Sequence, residues 1–127
     1  MINWVLDASA AIAFIKGETG SERVAAALET SVLSAVNASE VVARLITLGF
    51  TPHKAIATVS NLGCAIMPVD SDLGFRAGEL VALTRSKGLS LGDRICLALA
   101  EREGVPALTA DRAWAELGSD IKVSLIR

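Results

Sequence analysis

Val5 and Leu6 are apolar at successive positions, and helix-forming sequence begins two residues later at Ala8. A strand with one wet face alternates apolar and polar residues; a strand covered on both faces does not. Ile2 to Leu6 therefore reads as a short buried strand that stops at Asp7, with Ala8 to Ile15 as the helix that follows. A carboxylate at that point lies at the mouth of an α/β sheet, where such folds place their ligands.

The same pattern recurs along the chain. Ser21 to Glu29 reads as a helix with Val24, Ala25 and Leu28 on one stripe, and Val32 to Val36 as the second strand. Asn37 and Glu40 have the spacing of a capping box at the head of a long helix that stops at Gly49-Phe50. Thr51-Pro52 starts a fourth helix, which ends near Asn61-Leu62-Gly63. Cys64 to Val69 is the third strand. Asp70-Ser71-Asp72 caps a helix running to about Lys87-Gly88, and Ser90-Leu91-Gly92-Asp93 opens another that ends at Glu103-Gly104. Pro106 to Thr109 is the fourth strand, Asp111 to Leu117 a short helix and Ile121 to Ile126 a terminal strand. Short, non-alternating strands that take turns with helices imply an α/β fold, a mainly parallel sheet with helices on both faces. There is no linker or repeat, so residues 1–127 form a single domain.

Composition narrows the function. With 52% hydrophobic and 20% charged residues, disorder is excluded. Aromatics are 4%, with no Tyr, so stacking of bases on aromatic platforms is not the main binding mode. The net charge is −2, whereas a simple phosphate binder is usually basic; a nucleic-acid ligand would need a bound cation as intermediary. Cys64 and Cys96 lack metal-ligand spacing and read as free core thiols of a reducing, cytoplasmic setting. No apolar run reaches the ~18 residues that span a bilayer, and Asp7 interrupts the first apolar stretch where a leader would need to be apolar.

Asp7, Glu40, Asp93 and Asp111 each fall at a strand end or in the first turn of a helix. Each has an ordinary structural alternative: Asp7 as a cap, Glu40 and Asp93 in capping boxes with Asn37 and Ser90, Asp111 at the positive end of a helix dipole. Asp70 and Asp72 serve as controls and are taken as ordinary caps. Several carboxylates in one cleft must either protonate or hold a hard cation. Mg²⁺ and Mn²⁺ suit oxygen ligands and substrate phosphates. One histidine, His53, in a helix first turn and no paired cysteines argue against a zinc site.

Leu6-Asp7-Ala8-Ser9-Ala10, Asn37-Ala38-Ser39-Glu40-Val41, Ser90-Leu91-Gly92-Asp93-Arg94 and Leu108-Thr109-Ala110-Asp111-Arg112-Ala113-Trp114 together resemble the motif set of PIN-domain ribonucleases. Within that family they look most like VapC-type toxins of type II toxin–antitoxin systems. The resemblance implies a three-layer α/β/α sandwich with a five-stranded sheet in the order 3-2-1-4-5. It implies an acidic quartet, Asp7, Glu40, Asp93 and Asp111, that binds divalent metal and carries catalysis, supported by the hydroxyls of Ser9 and Thr109. Mg²⁺ is the expected cofactor, with Mn²⁺ as a substitute.

The activity implied is metal-dependent endoribonuclease cleavage of RNA phosphodiesters. Arg94 and Arg112, each directly after a quartet acid, are candidate RNA contacts. The implied partners are an RNA substrate, a small cognate antitoxin and a second copy of the chain as a homodimer, with no membrane. The candidate antitoxin surface is Ile12, Phe14 and Ile15 on the first helix, with Ile56, Val59 and Leu62 on the fourth; burial in the core is the alternative for each. Two other functional classes stay open: a non-catalytic PIN-like protein-binding domain, and another Mg²⁺-dependent phosphate-handling domain such as a phosphotransfer receiver. A receiver normally carries a lysine after a late strand, where this chain has Asp111-Arg112.

Overall fold

The computed structural model describes residues 1–127. Five strands, β1 (Trp4–Leu6), β2 (Ser31–Ser34), β3 (Ala65–Met67), β4 (Ala107–Thr109) and β5 (Val123–Leu125), form one sheet in the order β3-β2-β1-β4-β5. Every neighbouring pair is parallel. The helices are α1 (Ala8–Lys16), α2 (Ser21–Ala27), α3 (Ala35–Thr47), α4 (Pro52–Ser60), α5 (Ser71–Glu79), α6 (Val81–Thr84) and α7 (Leu91–Glu103). Short 3-10 turns occupy Leu28–Thr30, Arg85–Lys87 and Arg112–Glu116.

Register explains why the strand sequences do not alternate. Leu6 pairs with Leu33 and Leu108, and this row packs against α1 to α4. Val5 pairs with Val32 and Ala107, and that row packs against α5 and α7. Consecutive residues of one strand thus enter two separate cores, and both must be apolar. In α7 every residue from Ile95 to Ala100 is buried, the signature of a helix enclosed on all sides.

Several expected boundaries shift. Val36 belongs to α3, because the Ser34 hydroxyl caps that helix, accepting from the Asn37 N–H at 2.9 Å. The expected Asn37–Glu40 capping box is therefore absent; Asn37 sits one turn too deep to cap. The helix expected from Asp70 to Lys87 is broken. Gly74 and Gly78 weaken α5, and at Leu80 (ψ −9°) the chain bends so that this side chain is buried. Asp70 does cap α5, accepting from the Leu73 N–H. The third strand covers only Ala65–Met67 and lies at the sheet edge, where Ala65 and Ile66 are exposed. Both cysteines are free; Cys96 is buried, and Cys64 only half-buried. No helix is long and apolar enough to cross a membrane.

β1 is followed by a connection to one side, through β2, and pairs with β4 on the other, so the order reverses between β1 and β4. This is the topological switch point, and ligand crevices open there at the carboxyl ends of the strands.

Candidate active site

Asp7 terminates β1 at that switch point and is 4% exposed. It occupies the N-cap position of α1, yet its side chain makes no capping bond. Instead Oδ2 accepts two hydroxyl hydrogen bonds, from Ser9 at 2.6 Å and from Thr109 at 2.9 Å. The ordinary cap reading for Asp7 does not hold. Ser9 reaches it from the first turn of α1, and Thr109 from the end of β4. The Ser9 hydroxyl also accepts the Ala110 N–H at 3.0 Å, and the Thr109 hydroxyl accepts the Asp111 N–H at 3.0 Å. The β1–α1 and β4 junctions are thereby stitched together.

Burial pushes the Asp7 carboxyl up to about 6. The Ser9 and Thr109 hydrogen bonds oppose that rise, and the negative charge of Asp93 adds to it. A second interior group reports the same field. The Cys96 thiol, fully buried in α7, is pushed well up by desolvation and then by the charges of Asp7, Asp93 and Glu40. Asp93 itself lies in the first turn of α7, and the Glu40 carboxylate lies against Gly92 in the same turn.

Asp93 closes a full capping box with Ser90: its carboxylate accepts the Ser90 N–H at 2.9 Å, and the Ser90 hydroxyl accepts the Asp93 N–H at 3.2 Å. The structural alternative is therefore realised for Asp93, alongside its proximity to Asp7. Asp111 is exposed and caps the 3-10 turn that follows β4, its Oδ1 accepting from the Ala113 N–H. Glu40 lies in the second turn of α3, exposed, with Oε1 2.7 Å from the Asn37 Nδ2 donor.

None of the seven ion pairs in the protein involves Asp7, Glu40, Asp93 or Asp111. These four acids are therefore without a cationic side-chain partner. As the side chains stand, no three of them close on a single point tightly enough to hold an ion. With no cation between them like charges repel, and Asp93 is held by Ser90 and Glu40 by Asn37. The donor set is nonetheless all oxygen, carboxylates backed by hydroxyls, which fits a hard divalent cation and not zinc.

The two arginines part company. Arg94 donates from Nη1 to the Ala77 carbonyl at 3.0 Å, bracing α7 against α5, and its Nε is buried with no partner. Arg112 is exposed and forms no ion pair. His53 is exposed. Of the expected partner surface, Val59 of α4 and Leu62, two residues beyond its end, are buried and belong to the core. Ile12, Phe14 and Ile15 are half-buried, and Ile56 is 55% exposed.

Two residues near the acids escaped the sequence reading, Asn37 and Gly92. Asn37 is fully buried, and its Nδ2 donates both to Glu40 and, at 3.1 Å, to the Gly92 carbonyl. Its position three residues before Glu40 was the available signal, and a cap explained it too readily.

The all-parallel sheet in the order β3-β2-β1-β4-β5, layered between helices and with a buried acid at its switch point, defines a three-layer α/β/α fold. The family model for the PIN domain matches residues 4–119, and the chain belongs to that family. Among solved structures, the DNA-bound VapBC complex from Salmonella typhimurium contains a chain with TM-score 0.77 and 16% identity, with all of both chains covered. A toxin–antitoxin complex from Klebsiella pneumoniae gives 0.74 and 20%, covering 98% of each chain. A sarcin–ricin-loop-cleaving VapC toxin from Mycobacterium tuberculosis gives 0.74 and 18%, covering 94% of this chain and 99% of that one. No curated protein sequence matches. These likenesses carry the fold and its strand order.

Proposed function

We propose that the protein is a divalent-cation-dependent endoribonuclease and the toxin member of a toxin–antitoxin pair. The observation that carries this reading is Asp7, a buried carboxylate at the β1–β4 switch point, held by Ser9 and Thr109 and without a cationic partner. Asp7 is the acid a scaffold explains least, since it is buried at energetic cost and caps nothing. The PIN family membership and the fold shared with a sarcin–ricin-loop-cleaving toxin support RNA as the substrate.

Asp7, Glu40, Asp93 and Asp111 would hold the cation, Mg²⁺ or Mn²⁺. When bound, such a cation lowers the pKa of water and offsets charge on the phosphoryl and leaving oxygens. Asp7 is the fixed element, because Ser9 and Thr109 hold Oδ2 from two directions and leave Oδ1 without a hydroxyl partner. Its raised pKa keeps part of the population protonated near pH 6, so full charge develops only above that. Asp111 is exposed and can turn toward the crevice, whereas Glu40 and Asp93 are held by Asn37 and Ser90. No Ser, His or Cys nucleophile is needed: His53 is exposed on α4 and Cys96 is sealed in the core. Arg112 is free to approach a phosphate; Arg94 is committed to Ala77.

The VapBC complexes that share this fold support an antitoxin partner. In this reading it sits over Ile12, Phe14 and Ile15 of α1 and Ile56 of α4, and the chain acts as a homodimer in the cytoplasm. The test is cleavage of structured RNA by purified, antitoxin-free protein with Mg²⁺, with Mn²⁺ and with a chelator, beside Asp7→Asn. The expected result is cleavage that requires metal and vanishes in the variant. Full cleavage by folded Asp7→Asn, or none by wild type with any metal, overturns the assignment.

A further inference from the structure

Glu40 is solvent-exposed, and a surface glutamate ordinarily samples many rotamers. Here it is held from below. Asn37 has no exposed surface, and its amide orientation is fixed by its partners. The Ser34 hydroxyl donates to Oδ1 at 2.7 Å. The Nδ2 end then spends its hydrogens on two groups that can only accept, the Glu40 carboxylate at 2.7 Å and the Gly92 carbonyl at 3.1 Å. A flipped amide would set an oxygen against both.

Gly92 completes the arrangement from α7. A Cβ built there would overlap the Glu40 carboxylate, whose Oε1, Cδ and Oε2 are its three nearest heavy atoms. The Glu40 head thus occupies the space that any side chain at position 92 would take. Gly92 is in ordinary helical backbone, where alanine is the better helix former. Helix stability alone therefore gives no reason for glycine at this position.

We propose that Asn37 is a positioning residue that sets the Glu40 carboxylate against the first turn of α7, with Gly92 leaving the space it fills. The effect is to hold Glu40, on α3, at a fixed place relative to Asp93, one residue beyond Gly92 on α7. This rests on the reading of the four acids as cation ligands. The space at Gly92 is filled by the Glu40 head and not by Asn37, so a structural role and a positioning role part at the cation affinity of the Gly92 variant.

The test is calorimetric titration of antitoxin-free protein with Mn²⁺, paired with thermal melts. Wild type, Glu40→Gln, Asn37→Leu, Gly92→Ala and Val41→Ala are compared. Val41 is a buried α3 residue one position beyond Glu40 and serves as the packing control. Gly92→Ala is expected to weaken Mn²⁺ at least fivefold, as Glu40→Gln does, while its melting temperature holds or rises. Asn37→Leu is expected to weaken Mn²⁺ to the same degree. Val41→Ala should melt lower yet bind Mn²⁺ like wild type. Wild-type affinity in Gly92→Ala overturns the inference even if Asn37→Leu fails to fold. Wild-type protein that binds no Mn²⁺ overturns the cation reading itself and the inference with it, an outcome distinct from the first.

Discussion

The hydroxyl of Thr109, at the end of β4, donates to Oδ2 of Asp7, at the end of β1, across 2.9 Å and 102 positions of chain. The sheet register makes this contact unavoidable: Leu6 pairs with Leu108, and the Asp7 N–H donates to the Leu108 carbonyl. The residue after each leucine then faces its counterpart. A slip of one residue would move an apolar row to the wrong core and break the Asp7–Thr109 bond together. The same register that packs the protein therefore also assembles its most buried acid.

Thr109→Val keeps the side-chain shape but deletes a donor to Asp7 and the acceptor of the Asp111 N–H. Leaving buried polar groups without partners costs about 1–3 kcal/mol. Urea unfolding at neutral pH is expected to show that loss. The Asp7 carboxyl, followed by carbon-13 NMR, is expected to titrate at higher pH than in wild type, because one of the bonds that favours its charged form is gone. A wild-type titration would mean the bond is not formed in solution.

Asp7 also ties stability to pH. Its folded pKa, about 6, lies above the ordinary 3.8, so between these values the native state holds a proton that the unfolded state has released. Stability is therefore highest below the lower value and falls as pH rises through the upper one. The loss is on the order of 2–4 kcal/mol for a shift of this size. Urea midpoints in chelator between pH 4 and 7.5 should fall more steeply for wild type than for Asp7→Asn. The variant should be the more stable protein at pH 7.5. Parallel profiles would refute the buried-charge account.

Gly20 stands at the head of α2 with φ +97°, and a Cβ there would meet the Ile126 carbonyl oxygen at 2.6 Å and Cγ1 at 2.9 Å. Left-handed backbone costs about 1–3 kcal/mol for a residue with a side chain, and the collision with the last strand's exit adds to it. Gly20→Ala is expected to destabilise by more than about 2 kcal/mol. Gly74→Ala, inside α5 with open space around it, should instead stabilise by about 0.5–1 kcal/mol. Differential thermal melts of the two single variants against wild type check both signs.

The sheet was legible because Val5-Leu6, Val32-Leu33 and Ala107-Leu108 are each apolar on consecutive residues, which only a doubly covered strand requires. The family motifs then supplied the strand order. What the sequence misassigned was local and had a physical cause. Ser34 outcompetes Asn37 as the cap of α3, since its hydroxyl reaches the Asn37 N–H. The bend at Leu80 answers to burial against α7, a tertiary demand that periodicity along one helix does not carry. Asp7 was legible as a strand-end acid, but its freedom from capping duty was not. The Asn37–Glu40–Gly92 contact joins residues 55 apart and has no pattern along the chain.

Asp93 carries two roles that substitution can separate. Its carboxylate accepts the Ser90 N–H to close the α7 capping box, and its charge raises the Asp7 pKa. Asp93→Asn retains an oxygen acceptor for Ser90 and loses the charge. It is expected to unfold in urea within about 0.5 kcal/mol of wild type, to move the Asp7 titration to lower pH, and to lose metal-dependent RNA cleavage. Asp93→Ala should share the last two effects and in addition lose about 0.3–1.5 kcal/mol with the cap. If Asp93→Asn cleaves RNA as wild type does while its Asp7 titration moves as expected, Asp93 is a cap beside the site and not part of it.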